Sequence, residues 1–237
     1  MSRVKPILFN TDDVRAILDG RKTVTRRLIK VPSYYPHFYK LHDNIDGAIT
    51  GTKNELFAGF YKDEQVFYID GEKHIDAVYH KAPCKPGDIL YVRETWQECC
   101  RNIIHSPIVH DKYCFKASID DSPLYGCIEN DCGQICEWRP SIHMPKEAVR
   151  IWLKVIGVRV ERLQDITEKQ AKAEGFEPVM STKDSSFYTP WQGPPVENFK
   201  YFWNYTIKKK DLPLYGWNAN PWVWVTEFER CEKPEGV

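Results

Sequence analysis

The sequence predicts an α+β chain of short strands, a few flanking helices and long loop insertions. Three observations carry this. Apolar and polar residues alternate over short runs near both ends, helical spacing is confined to a few brief windows, and the stretches between lack sustained periodicity. At 237 residues the chain is long enough for one well-buried core, and longer than a common domain of about 100 to 150 residues. The expected organisation is a single domain over 1–237 with insertions at about 31–85, 97–137 and 176–198.

Ile7-Leu8-Phe9 reads as a first strand, and Thr11 is placed to cap a helix whose apolar residues Val14, Ile17 and Leu18 follow helical spacing. Gly20 stops that helix, because glycine takes the left-handed conformation beyond a helix C-terminus without steric cost. Arg21 to Leu28 then leaves in a new direction as a strand. Residues 31–85 are rich in Tyr, His, Gly and Asp, and Gln65 to Lys73 forms a hairpin arm around an Asp-Gly turn. Pro86-Gly87-Asp88 is a turn, followed by a strand from Ile89 to Trp96 that begins apolar and ends polar.

The stretch from Gln97 to Glu137 is irregular and holds six of the eight cysteines. Trp138 to Pro145 is a loop, and Val149 to Leu163 a long central strand with a bulge at Gly157. Asp165 to Gly175 has a full helix grammar: Thr167 as N-cap, Gln170 as its capping-box partner and Gly175 as the stop. Glu174 falls in the last turn, where negative charge opposes the helix dipole by roughly a few tenths of a kcal/mol. Its carboxylate is therefore not there to help the helix. Phe199 to Tyr205 is a short amphipathic helix and Trp222 to Glu229 a closing strand.

Lys plus Arg and Asp plus Glu are equal at 33 each, so no global field holds a polyanion, and a long-duplex binder is disfavoured. Eight Trp and thirteen Tyr supply core packing or faces on which bases stack. No apolar run reaches the roughly 18 residues of a membrane span and none near Met1 has signal-peptide form. A cytoplasmic protein without membrane contact is expected. Cysteines there are expected as thiols or metal ligands. Cys127, Cys132 and Cys136, with Cys114 or His110 upstream, have enough soft donors for one tetrahedral zinc but no paired knuckles. Simple thiols are the expectation, and no metal or cofactor is assigned. No heptad or internal repeat marks an oligomer.

Four segments together resemble the ASCH family, a branch of the PUA-like fold: Gly20-Arg21-Lys22-Thr23-Val24-Thr25-Arg26-Arg27, Pro86 to Arg93, Leu163 to Gly175, and the final aromatic strand. Trp138-Arg139-Pro140-Ser141-Ile142-His143-Met144-Pro145 is similar to a loop of the longer phage- and prophage-associated members. The resemblance implies a PUA-like mixed β-barrel. Compact bacterial members are amidohydrolases that deacetylate N4-acetylcytidine, and their Lys, Thr and Glu fall on Lys22, Thr25 and Glu174. The implied function is removal of an acyl group from N4-acylated cytosine nucleosides. The alternatives are an RNA-binding module without catalysis and a ribonuclease.

Amide hydrolysis needs a nucleophile, a base for its proton and stabilisation of the tetrahedral oxyanion. Thr25 serves as nucleophile, Lys22 as general base, and Glu174 orients the Lys amine or the substrate amino group. In a regular strand Lys22 and Thr25 point to opposite faces, so their convergence needs a turn or bulge after Gly20. The bland alternatives are a solvated strand with a basic face, and a surface helix residue at Glu174. Candidate substrate contacts are Arg21 and Arg26 from the basic segment, and Arg93 and Glu94 at a strand end, where an ordinary ion pair is the competing reading. Trp96 either stacks on a base or packs in a core, and His143 is either a donor at a pocket mouth or a structural histidine.

Overall fold

The computed structural model describes residues 3–30, 39–41, 49–50, 57–69, 72–98, 113–118, 137–177 and 193–236, with the backbone alone over the described part of 39–79. Its strands are β1 (Val4–Leu8), β2 (Val24–Leu28), β3 (Tyr39–Leu41), β4 (Ile49–Thr50), β5 (Phe57–Ile69), β6 (Glu72–Lys81), β7 (Ile89–Arg93), β8 (Trp96–Glu98), β9 (Tyr113–Phe115), β10 (Trp152–Arg162) and β11 (Trp222–Cys231). The helices are α1 (Thr11–Leu18), α2 (Glu168–Ala173), α3 (Pro195–Thr206) and α4 (Leu212–Tyr215). The chain divides into two compact units. The first holds Met1–Lys22, Gly87–Lys154 and Glu229–Val237, the second Thr23–Pro86 and Val155–Phe228.

In the first unit β1 runs parallel to β7, pairing Val4 with Ile89 and Leu8 with Arg93, and β7 runs antiparallel to the start of β10. The cap of α1 is Asn10, whose side chain accepts from the Asp13 N–H at 2.7 Å. Thr11, expected in that role, is the first helical residue, because the extended conformation a cap requires falls one position earlier. The helix buries Val14, Ala16 and Ile17. The strand expected from Ile89 to Trp96 breaks after Arg93 and resumes at Trp96 as β8, which pairs with β9. Trp96, Tyr113, Phe115, Met144 and Ala148 form a core under that small sheet, each large apolar side chain contributing about 1.5–3 kcal/mol by leaving water.

In the second unit the later part of β10 continues the order β10-β11-β2, and β11 pairs antiparallel with β2 from Val223↔Leu28 to Glu227↔Val24. Side chains alternate across this sheet. Val24 and Leu28 face one side, where α2, α3 and the turn before α2 cover them with Leu163, Ile166, Ala171, Phe199 and Trp203. Ile29 and Trp224 face the other, with Ala82. Pro195 opens α3, where its fixed φ suits the first turn, and Trp203 anchors that helix by donating to the Tyr215 carbonyl at 2.8 Å. The expected hairpin is β5 and β6, longer than the predicted arm and in register from Ile69↔Glu72 at its tip. β3 and β4 also pair with β5.

The architecture is α+β with a mixed sheet, but the expected barrel is not closed. Closure requires every strand to have two neighbours; among the described residues β1 pairs only with β7 and β2 only with β11. Gly157, the position of the expected bulge, lies within β10. Its missing side chain serves packing, since a Cβ there would lie 3.1 Å from Glu227 Oε2. No helix among the described residues is long and apolar enough to cross a membrane.

Candidate functional site

Two glycine-stopped helices set the candidate residues. Beyond α1, Gly20 has φ +76°, its N–H donates to the Ile17 carbonyl at 3.1 Å, and the Arg21 N–H reaches the Ala16 carbonyl at 2.8 Å. The Lys22 N–H shares that acceptor at 2.9 Å. Beyond α2, Gly175 has φ +99°, donates to the Lys172 carbonyl at 2.8 Å, and is followed by Phe176, which donates to the Ala171 carbonyl at 3.1 Å. Both are Schellman endings, and both need a residue without a Cβ at the left-handed position. Glu174 is the C-cap residue of α2, whose capping box of Thr167 and Gln170 forms as the sequence predicts.

In the first unit Lys22 is only 4% exposed. Its Nζ stands 3.2 Å from an Asp13 carboxylate oxygen and 5.8 Å from the centre of the Phe9 ring. Lys22 precedes the first residue of β2, so the alternation of that strand does not fix its direction. Arg21, half-buried, pairs with its near neighbour Asp19 at 2.8 Å.

The second unit holds Thr25, Arg26 and Glu174. Thr25 is 4% exposed and lies opposite Thr226 in the β2–β11 ladder, and the Thr226 hydroxyl is 3.7 Å from Cys84 Sγ. Arg26, the next residue, points to the other face. Its guanidinium is fully buried and donates from Nη1 to Glu174 Oε1 at 3.2 Å and from Nη2 to Glu161 Oε2 at 2.9 Å. The Phe199 ring lies 6.0 Å from it, and Nε is buried without a hydrogen-bond partner.

The charges continue along this face. Glu161 also accepts from Arg159, which bonds in turn to Glu227, and from Gln170 Nε2 at 3.4 Å. Burial pushes the Arg159 guanidinium down, but the hydrogen bonds and charges of Glu161 and Glu227 outweigh it and hold the group above its ordinary range. Arg26 and Glu174 are thus joined, while Thr25 sits on the opposite face of β2 from Arg26. Glu174 stands level with the strand's beginning, because the Thr23 N–H donates to the Ala173 carbonyl at 2.8 Å.

The remaining candidates belong to the first unit. Glu94 is buried in a two-pronged pair with Arg150, Nε to Oε1 and Nη2 to Oε2 both at 2.8 Å, and Arg150 also donates to Ser118 Oγ at 2.6 Å. The Arg150 guanidinium lies 4.2 Å from the centre of the Phe115 ring. Arg93 donates to the Ile142 carbonyl at 3.2 Å. Trp96 is a core residue, edge-on to Tyr113 at 5.6 Å, and His143 is exposed on a 3-10 turn. Sequence reasoning missed Asp13, Arg150, Arg159 and Glu161. Among these only Glu161 and Arg159 carried a signal, as charged residues two apart on a strand where they alternate with Val158 and Val160.

Cys114 is disulfide-bonded, which corrects its expected place among thiols and zinc ligands, since a sulfur already bonded to sulfur offers no thiolate. Cys84 and Cys231 are not in disulfides. His110, Cys127, Cys132 and Cys136 lie outside the described residues, among which no group of three or more His, Cys, Asp or Glu is placed to hold a metal ion. No protein-family model, curated protein or solved structure matches this chain.

Proposed function

We propose that this protein is an ASCH-type amidohydrolase of the PUA-like class that removes an acyl group from N4-acylated cytosine nucleosides. The observation that carries the reading is burial: Lys22, Thr25 and Glu174 are each 4% exposed. A solvated basic strand and a surface helix residue would leave Lys and Glu in water, since these types are almost never buried without a purpose that offsets their desolvation. The resemblance assigns the chemistry to these three positions.

In the reaction the Thr25 hydroxyl oxygen bonds to the acyl carbon while Lys22, the general base by resemblance and acting as its neutral amine, takes the hydroxyl proton. The carbonyl oxygen becomes an oxyanion, and its collapse breaks the carbon–nitrogen bond. The cytosine amino group leaves with a proton returned by Lys22, and water hydrolyses the Thr25 ester. The resemblance assigns Glu174, held by Arg26 on the other face of β2 from Thr25, to the departing amino group. Pairing of the basic side chains favours this reading over a phosphate-binding one, because Lys22, Arg21 and Arg26 each face a carboxylate, whereas phosphate contacts draw on cations that displace counterions.

The test is incubation with N4-acetylcytidine, and separately with a short labelled RNA. Equimolar cytidine and acetate are expected, with turnover reduced at least a hundredfold in Thr25→Ala and Glu174→Gln. Salt-sensitive RNA retention without cytidine would replace this reading by a binding module, and RNA cleavage by a ribonuclease.

A further inference from the structure

We infer that Arg26 is a positioning residue for Glu174 and does not itself bind substrate. This rests on the reading of Glu174 as part of an amidohydrolase site. The guanidinium is fully buried and spends both terminal nitrogens on carboxylates, Glu174 at 3.2 Å and Glu161 at 2.9 Å, with Phe199 beside it. A planar fork that bridges two acids fixes the direction of each, which a single point charge does not. Glu161 is itself fixed, by Arg159 and by Gln170. Gln170 has a second task, since its side-chain oxygen accepts the Thr167 N–H at 2.8 Å in the capping box.

The consequence is a closed arrangement on one sheet face. The start of α2 is tied to Glu161 through Gln170, and its end to Arg26 through Glu174. Both ties meet at the Arg26–Glu161 pair, which joins β2 to β10 across β11. The direction of the Glu174 carboxylate is therefore set by a residue that makes no contact with the reacting bond.

The experiment compares Arg26→Gln, Arg26→Lys and Glu161→Gln with the wild-type chain. With N4-acetylcytidine, Arg26→Gln is expected to lower kcat ten- to a hundredfold with KM within threefold, the range seen when a supporting hydrogen bond to a site group is lost. Arg26→Lys restores part of kcat, and Glu161→Gln lowers it less than Arg26→Gln. Wild-type kcat in a folded Arg26→Gln would overturn the inference, as would a loss confined to KM. If the wild-type chain releases no cytidine, the amidohydrolase reading fails by itself. The pairing is then judged by melting temperature: Arg26→Met/Glu174→Gln should melt no lower than the less stable single variant, and additive losses would overturn it.

Discussion

The backbone N–H of Thr23 donates to the carbonyl of Ala173 at 2.8 Å, so the residue after Lys22 is tied to the residue before Glu174. Two segments about 150 residues apart in sequence thus share one peptide-to-peptide contact at the start of β2. Each segment reaches that point through a helix ended by glycine, and each glycine is a place where the arrangement can be tested.

Gly20 has open space where a Cβ would stand, so replacing it probes backbone conformation alone. Gly20→Ala is expected to cost about 1 kcal/mol from its left-handed φ, read as a lower urea midpoint at unchanged slope. Gly175→Ala should behave alike and also reduce turnover, because the residue before it is Glu174. A midpoint equal to wild type in both would contradict the Schellman geometry.

The pair of Glu94 and Arg150 offers a stability test apart from the candidate chemistry. Glu94→Ala leaves a guanidinium without its two-pronged partner, and the expected loss is about 3–5 kcal/mol. Glu94→Ala/Arg150→Met should recover part of it in guanidinium chloride unfolding. If the double variant is the least stable, the pair is not the reason for the loss.

Burial holds the His80 imidazole below its ordinary range. The unfolded chain takes up a proton as pH falls through about 6.5, whereas the folded chain resists until lower pH. Stability is therefore intact above that value and declines as pH drops toward the folded pKa. His80→Gln should flatten this decline in unfolding free energy measured between about pH 7 and 5. Parallel curves for the two proteins would remove His80 as a cause.

Burial pushes the Cys231 thiol up, Glu229 adds to this, and Lys154 opposes it. Its alkylation by iodoacetamide at pH 8 should be slower than that of a free cysteine, because the thiolate is the reacting form. Glu229→Gln is expected to speed the reaction and Lys154→Gln to slow it, followed at Cys231 by peptide mass spectrometry. The opposite order would mean the nearby charges do not govern the thiol.

Local chemistry made much of the fold legible. The capping box of Thr167 and Gln170, the stops at Gly20 and Gly175, and the closing aromatic strand each depend on neighbours within a few residues, and each forms. What was illegible depends on partners remote in sequence. Nothing local shows that Glu94 will be claimed by Arg150, or that Gly157 makes room for Glu227. For the same reason Arg26 reads as a surface cation in a basic run, although its two carboxylates lie 135 and 148 positions away. The break between β7 and β8 was also hidden, since Arg93-Glu94-Thr95 contains no glycine or proline to mark a turn.

At six residues α2 is too short to persist alone. The carboxylate of its C-cap residue Glu174 takes its place only where β2 and β10 bring Arg26 and Glu161 together, with the charge chain closed through Gln170 and Arg26. A nascent or partly melted copy of this chain accordingly carries no half-assembled version of it. Placement of these groups therefore depends on contacts remote in sequence and not on the helix alone.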